Sequence, residues 1–578
     1  MAMNNMAFRG HREKIGEVNS GNFLAIIELL AEYDPILKQL LQLPQGKVKY
    51  LSPKIKNEVI DILSKQVLND ILSEVQNAQF YSLIIDTTQD ISKCDQMSQV
   101  LPYVSIERDT NTRAKQINIH EAFLGFHAIH DQSAAGIEKE ILAFIDDKGI
   151  SLDKCHGQGY DGAATMSGIY SGVQTRILQR EENALYVHCA AHNLNFVLQD
   201  AVAEITEVSN FMGVVQHLHN FFGDSGKQWE ILSSFTSESS VTLKKLCPTR
   251  WSSRYESLLA LRFRFVDVLK ALSKITLVAT KKSEREEAMG LKKKIESFQT
   301  IFLIVLQTKI FSSINSLSKL LQSESMDLSK ASHLIKTSLD ELSNFRSSFG
   351  EARNNAVLLA QKWNITPRFE AKRIRTVKKH FDALCIDERL EDLERFKINV
   401  FYRCLDIIVN QLSNRFQGLN CVVQRFEIIQ PAVLVSASDD DLFKAASNLQ
   451  QKYEKDLSST FAGQLLSFRS ALKEDIQKLS SVKDLAHLLL VENSALSSNL
   501  PDVCTALLLF LTLPVTVASA ERSFSKLKLI KNYLRSTMSE QRLSGLAILS
   551  IENARAKQLD LNHIVDTFAE LKARRRVF

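Results

Sequence analysis

Apolar residues recur along this chain with two different periods. From residue 248 to 501 the spacing is helical. Phe401, Leu405, Ile408, Leu412 and Phe416 fall on one face of an amphipathic helix, and 301–321 reads the same way. Breakers are scarce there, with Pro367, Pro431 and four glycines between Pro248 and Pro501, so long helices are expected. Before residue 248 the pattern is shorter. YSLIID (81–86) is an apolar run ending in an acid, and 97–106 and 117–126 are further strand candidates. Pro102 lies inside the second of these, which predicts a bend or an unpaired position there. A helix over 133–146 and a short strand leading into the Gly-rich turn GQGYDG (157–162) follow. Strand, strand, strand, helix, strand, helix is a mixed α/β order. Residues 20–75 read as helices, with Asn19, Ser20 and Asn22 as caps. No internal repeat is present.

Composition narrows the class. The 578 residues are 45% hydrophobic and 24% charged, with 20 glycines and 9 prolines. That excludes a mainly disordered or fibrous chain. Length alone suggests about four units at roughly 150 residues each. The net charge of +5, from 71 basic and 66 acidic residues, is too small to argue for a polyanionic partner without local clusters. Eight scattered cysteines suit reduced thiols rather than a disulfide framework. The N-terminal residues lack the apolar stretch of a signal peptide, and the apolar run at 506–511 is too short for a membrane span. A soluble intracellular protein is expected, with neither a membrane nor a small-molecule substrate as partner.

Several positions could carry chemistry. Asp86 ends the apolar run IIDTTQD, and Asp161 follows small residues in GQGYDGAATMSG. Acids at strand ends can present metal ligands, since two carboxylates brought together repel unless a cation is shared. The same residues read equally as acids capping turns. Glu521 follows Ser519, an expected helix N-cap, so its charge suits the first turn. Phe524, Leu527, Ile530 and Leu534 form an apolar stripe behind it. Arg522, Lys526, Lys528, Lys531 and Arg535 form a basic stripe, which suits either a phosphate track or a solvated face. Cys189 and His192 form a Cys-x-x-His pair in HCAAHNLN, but a zinc centre needs two more ligands. CPTRW offers Arg250 for a phosphate and Trp251 for an unpaired base, and a core Trp is the plainer alternative. The segment 367–381 sets Arg368, Lys372, Arg373, Arg375, Lys378 and Lys379 against one acid, Glu370, a pattern suited to DNA backbone or nuclear import.

In order, DTTQDIS, GQGYDGAATMSGIYSGVQTRI, VHCAAHNLNFVLQD, CPTRWSSRYESL and LPVTVASAERSFSKLKLIKNYLRSTMSEQRLSGLAILSIE resemble the hAT superfamily of DNA transposases. The similarity is greatest to the zinc-finger MYM-type-like branch with its C-terminal dimerisation region, which 8–37 also resembles. The resemblance covers nearly the whole chain and is weakest over 270–395. It implies an α/β protein with a large all-α part, an RNase H-like catalytic core interrupted by a long all-helical insertion. The expected divisions are an N-terminal helical segment (1–75), the first part of the core (76–260), the insertion (261–495), and the core's completion with the dimerisation region (496–578).

The family's metal-binding carboxylates map onto Asp86, Asp161 and Glu521. Its Cys-x-x-His pair maps onto Cys189 and His192 as support for that site, and its Arg-Trp element onto Arg250 and Trp251. The implied chemistry is Mg²⁺- or Mn²⁺-dependent DNA cleavage and strand transfer in the nucleus by a DDE-type enzyme. Lys372, Arg373, Arg375, Lys378, Lys379, Arg522 and Lys526 are expected to touch DNA. Relatives commonly begin with a zinc-binding finger, and no Cys/His cluster precedes Phe8. The second expectation is therefore a domesticated or truncated, dimerising nucleic-acid-binding or regulatory protein that does not transpose. Self-association is expected through 500–570, where LTLPVTV and Leu543, Leu546, Ala547, Leu549 and Ile551 exceed what one helix face needs. The rival reading makes all of them intramolecular core.

Overall fold

The computed structural model describes residues 1–44, 47–110, 113–236, 243–246, 251–323, 326–369 and 392–571. The chain divides into two compact units, one of Met1–Cys189, Asp327–Ser329 and Cys421–Phe578, the other of Ala190–Met326 and Lys330–Asn420.

The first unit opens with helices α1 (Asn22–Ala31) and α2 (Pro53–Asn77). Gly21, at φ 94°, occupies the cap of α1, a conformation that favours glycine. Of the three residues expected to cap, Asn22 is already helical and donates its side-chain amide to Ala7 O at 3.0 Å, while Asn19 is left-handed at φ 65°. The α2 start follows the simple rule, with Ser52 Oγ accepting the Ile55 amide and Pro53 in the first turn.

Five strands follow: β1 (Tyr81–Gln89), β2 (Asp95–Arg108), β3 (Ala114–Ile129), β4 (Cys155–Tyr160) and β5 (Leu185–His188). Their order is β3-β2-β1-β4-β5. The first three pair antiparallel, and β1–β4 and β4–β5 pair parallel. Helix α3 (Ala134–Asp147), capped by Ser133, connects β3 to β4, and α4 (Val173–Arg180) lies between β4 and β5. The first five residues of β1 are all buried. A strand covered on both faces needs such a continuous apolar run.

Three expectations change here. Gly157 and Gly159 lie inside β4 rather than in a turn. Pro102 sits within β2 opposite Glu121 of β3, and the irregularity falls instead at Gln99/Val100. The four-residue strand β5 has no counterpart in the apolar pattern; LYVH carries too few positions to show a period.

Among its described residues the second unit contains no strand. Its helices include α5 (Ala190–Glu204), α6 (Thr206–Gly223), α7 (Trp251–Val278), α8 (Phe298–Leu321) and α9 (Arg403–Arg415). Helix α8 is long and apolar enough to cross a membrane, but 72% of its most apolar window is buried inside the protein. It is the core helix of this unit, with Phe302 meeting the rings of Phe349, Phe396 and Phe401 at 5.6, 4.9 and 6.2 Å. Phe401, Leu405, Ile408, Leu412 and Phe416 are all buried, as their spacing predicts, although 397–402 is wound as π-helix.

The chain then returns to the first unit and ends in α10 (Pro501–Thr512), α11 (Ala518–Ile530), α12 (Glu540–Ile551) and α13 (Leu561–Glu570). Helix α11 packs on β1, β2 and β3, and α12 on α2 and β3. Ser544 Oγ accepts the Phe126 amide at 3.0 Å and donates to its carbonyl at 2.6 Å. It thereby serves the irregular stretch of β3 where Gly125 takes φ 144°. Leu543, Leu546, Ala547 and Leu549 are all buried within this chain and Ile551 is half-buried, so most of the apolar excess read as an interface is core. Exposed apolar residues in this region are instead Leu529, Tyr533 and Leu534, followed by Leu561 and Val565 on α13.

Candidate metal and nucleic-acid site

Three segments remote in sequence meet at one end of the sheet in the first unit. Strand β1 carries Asp86, and β4 ends at Tyr160, just before Asp161. The two strands run parallel with Ile84 beside Gly159. Asp86 stands two residues further along β1, and Asp161 directly follows the end of β4, on strands spaced about 4.8 Å apart. Asp86 pairs on its other side with Ser98 of β2, and Ser98 Oγ lies 2.7 Å from Ser523 Oγ of α11. Glu521 is two residues before Ser523, in the first turn of that helix.

Cys189 closes the triangle. Its amide donates to Tyr160 O at 3.2 Å, and its Sγ accepts the Val517 amide at 3.3 Å. The sulfur also lies within 4.8 Å of a Glu521 carboxylate oxygen. The thiol thus ties the strand end that carries Asp161 to the start of the helix that carries Glu521. His192 stands on α5, in the second unit.

The glycines of β4 explain how that helix is placed. A Cβ on Gly157 would meet Ser82 Oγ and come within 2.9 Å of Pro514 Cδ; one on Gly159 would come within 3.1 Å of Pro514 Cγ. Bare backbone lets the segment before α11 lie flat on β4. Ser82 Oγ then donates to Thr512 O at 2.8 Å. The N-cap of α11 is Val517, not Ser519. Ser519 Oγ donates instead to Glu121 of β3.

The local electrostatics are mixed. Asp86 Oδ1 accepts the Thr87 amide at 2.8 Å, and Asp161 Oδ1 the Ala163 amide at 3.2 Å. Tyr186 OH donates to Asp161 O at 3.4 Å. Burial first, and then the Asp161 charge, push that phenol well above its ordinary range. Glu521 gains from the helix N-terminus. Two aspartates and a glutamate are hard oxygen donors, a set that Mg²⁺ takes. Cys189 is buried and its sulfur already accepts an amide.

The basic stripe breaks up on folding. Arg522 is exposed, and its Nη2 donates to Ser519 Oγ at 2.8 Å and lies 3.9 Å from Glu121. Lys526 is half-buried and Lys528 exposed. Lys531 leaves the surface altogether. It is buried 2.6 Å from Asp90 Oδ2, a partner 441 residues away that no local pattern announces. In the apolar stripe Phe524, Leu527 and Ile530 are buried, but Leu534 lies past the helix end and is 88% exposed. Trp251 begins α7, but its side chain is outside the described residues, as are Arg250, Lys372, Arg373, Arg375, Lys378 and Lys379.

Residues 1–172, which include Asp86 and Asp161, match the ZMYM1/FAM200, RNase-like domain. Residues 468–554, which include Glu521, match the hAT family C-terminal dimerisation region. The two matched segments make the chain similar to the hAT-related, transposase-like proteins. It is 23% identical over 601 residues to the human protein named 52 kDa repressor of the inhibitor of the protein kinase, across 99% of this chain and 75% of that one. The mouse protein of the same name is 24% identical over 605 residues, with the same coverage. This hAT-related chain holds Cys189, His192, Arg250 and Trp251 between its two matched segments.

Proposed function

We propose that this chain is a DNA-binding, self-associating protein of hAT transposase type, with an RNase H-like core in its first unit, interrupted by the helical second unit. Asp86, Asp161 and Glu521 are its Mg²⁺- or Mn²⁺-holding carboxylates. The observation that carries this reading is their arrival at one sheet end from segments 75 and 360 residues apart. Carboxylates are the ligands that Mg²⁺ takes.

When bound, a pair of such ions activates water or a 3′-hydroxyl and stabilises the leaving oxygen of an in-line displacement at phosphorus. The chain's residues prepare that step. The β1–β2 ladder fixes Asp86, and the amide of Ala163 holds Asp161. The turn anchored by Cys189 fixes the start of the helix that carries Glu521. Arg522 and Lys526, next along the same helix, neutralise phosphates; Arg250, Trp251 and the cluster 372–379 are DNA-contact candidates on sequence grounds. A second copy is held through the C-terminal region, where it covers Leu529, Tyr533 and Leu534. DNA as partner implies a nuclear protein.

The relatives named as repressors favour a second reading, a regulatory DNA-binding protein without transposition. One experiment separates the two. The full chain is incubated with supercoiled plasmid and Mg²⁺ or Mn²⁺, beside D86N, D161N and E521Q, and DNA binding is measured in parallel. Metal-dependent nicking that falls at least about 100-fold in each variant, with DNA binding retained, supports the enzyme. Binding without nicking in the unaltered chain supports the regulator. Absence of both overturns the proposal.

A further inference from the structure

The first unit holds a second basic feature, built where residues of the two matched segments come together. A cavity of about 660 Å³ is lined by Arg9, Arg535 and Arg542, with His11 beside them, and no carboxylate is among its lining residues. That volume is in the range of a ligand pocket. Two acids that could neutralise it are engaged elsewhere. Glu13 lies 3.9 Å from Arg9 but 2.6 Å from Lys56 Nζ, which is buried. Glu540, in the first turn of α12, points to His127 Nδ1 at 2.8 Å.

The guanidinium groups are held rather than loose. Arg535 donates to Leu529 O, near the end of α11, where helix carbonyls lack intrahelical partners. Arg542 stacks over the Phe8 ring at 5.7 Å and donates to Asn57 Oδ1, which Arg9 Nη2 approaches at 3.4 Å. Burial, followed by the charge of Arg9 and, less strongly, of Arg535, disfavours the charged form of Arg542, and the Glu13 charge only partly offsets this. Three like charges round one cavity carry a repulsive cost that an anion removes. Arginine's planar fork suits phosphate oxygens in particular.

We infer that this cavity is a phosphate site for a nucleic-acid backbone, separate from the carboxylate site at the other end of α11. The inference rests on the DNA-binding reading above and names a contact point for it. Helix α11 has 13 residues and so is about 20 Å long. Glu521 stands in its first turn, and Arg535 follows five residues after its last. A backbone held at both ends spans about six nucleotides at about 3.4 Å each.

The test uses the full chain and a 20-base-pair duplex, with affinity measured by fluorescence polarisation from 50 to 200 mM KCl. Arg9→Gln, whose side chain is half exposed and makes the weakest contacts, is the mild variant; R535Q and R542Q complete the set. Thermal melting and sedimentation confirm that each stays folded with unchanged self-association. Every phosphate that a variant no longer neutralises should flatten the log–log salt slope by about 0.9, so the triple variant should flatten it by about 2.7. Inorganic pyrophosphate is titrated in parallel and should raise the melting temperature of the unaltered chain but not of the triple variant. Unchanged slopes in folded variants overturn the phosphate site and leave DNA binding standing. Stabilisation by pyrophosphate without duplex affinity overturns the nucleic-acid assignment. No affinity for either overturns this site and the DNA-binding reading together.

Discussion

Replacing Lys531 by Met should destabilise the first unit by several kcal/mol and loosen the helix that carries Glu521. Lys531 Nζ sits 2.6 Å from Asp90 Oδ2, with side chains 6% and 1% exposed. Asp90 is a hub at the β1–β2 turn. Its Oδ1 accepts the Ser92 amide and hydroxyl at 2.7 Å each and the Cys94 amide at 3.2 Å; its Oδ2 also accepts Gln96 Nε2 at 3.0 Å. Burial opposes the charge, but Lys531 and these donors prevail and lower the carboxyl from 3.8 to about 2. At about 1.4 kcal/mol per tenfold change, that difference is worth about 2 kcal/mol to the folded state.

Removing one partner of a buried pair costs more, about 3–5 kcal/mol, because the other charge stays buried without it. The depressed carboxyl sets the pH window. The unfolded chain takes up the Asp90 proton near pH 4 and the folded chain near pH 2, so the contribution is full above about 4 and lost as pH falls towards 2. Urea unfolding of the unaltered chain, K531M, D90N and the double variant at pH 7 and pH 3 is the assay. Each single variant should lose several kcal/mol at pH 7, the double variant less than their sum, and the gap from the unaltered chain should shrink at pH 3. A K531M loss below about 0.5 kcal/mol, or strictly additive variants, would refute the reasoning.

Other outcomes follow from the same geometry. Gly157→Ala drives a methyl into Pro514 and Ser82 and should cost about 1–3 kcal/mol; Gly213→Ala, in a helix with nothing within 4 Å of the new methyl, should be neutral or stabilising by up to about 1 kcal/mol, and equal melting temperatures would contradict this. His127 bridges Glu140 and Glu540 at 2.9 and 2.8 Å, and the hydrogen bond to Glu540 raises its basicity against burial. Its contribution is therefore full below its ordinary pKa of 6.5 and lost as pH rises through the folded value. The stability gap between the unaltered chain and His127→Gln should be wider at pH 6 than at pH 9, as checked by chemical denaturation. Tyr533→Lys with Leu534→Lys puts charge on two side chains 86% and 88% exposed; sedimentation should show self-association weakened at least about tenfold, with the fold intact by circular dichroism.

Much of the architecture is legible in the chain because it follows from local rules. Helical spacing locates the buried face from Phe401 to Phe416, apolar runs locate β1 to β3, and Ser133 marks the start of α3. Asp161 and Glu521 stand out by strand-end and helix-start positions and by motif resemblance; Asp86 closes its apolar run, but β1 continues to Gln89 because its polar residues still pair with β2, so Asp86 lies inside the strand. What the sequence does not carry is every assignment that depends on a partner far along the chain. Lys531 looks like one of five surface cations until folding places Asp90 beside it. Leu543, Leu546 and Leu549 look surplus until α12 meets α2 and β3. Gly157 and Gly159 look like a turn because glycine's bareness is the same whether it serves a positive φ or the close approach of Pro514. Periodicity reports which side of an element is apolar, but the chain does not encode locally which element will cover that side. Packing decides that, and it decides here that β1, the end of β4 and the start of α11 come together while Arg9, Arg535 and Arg542 share a cavity.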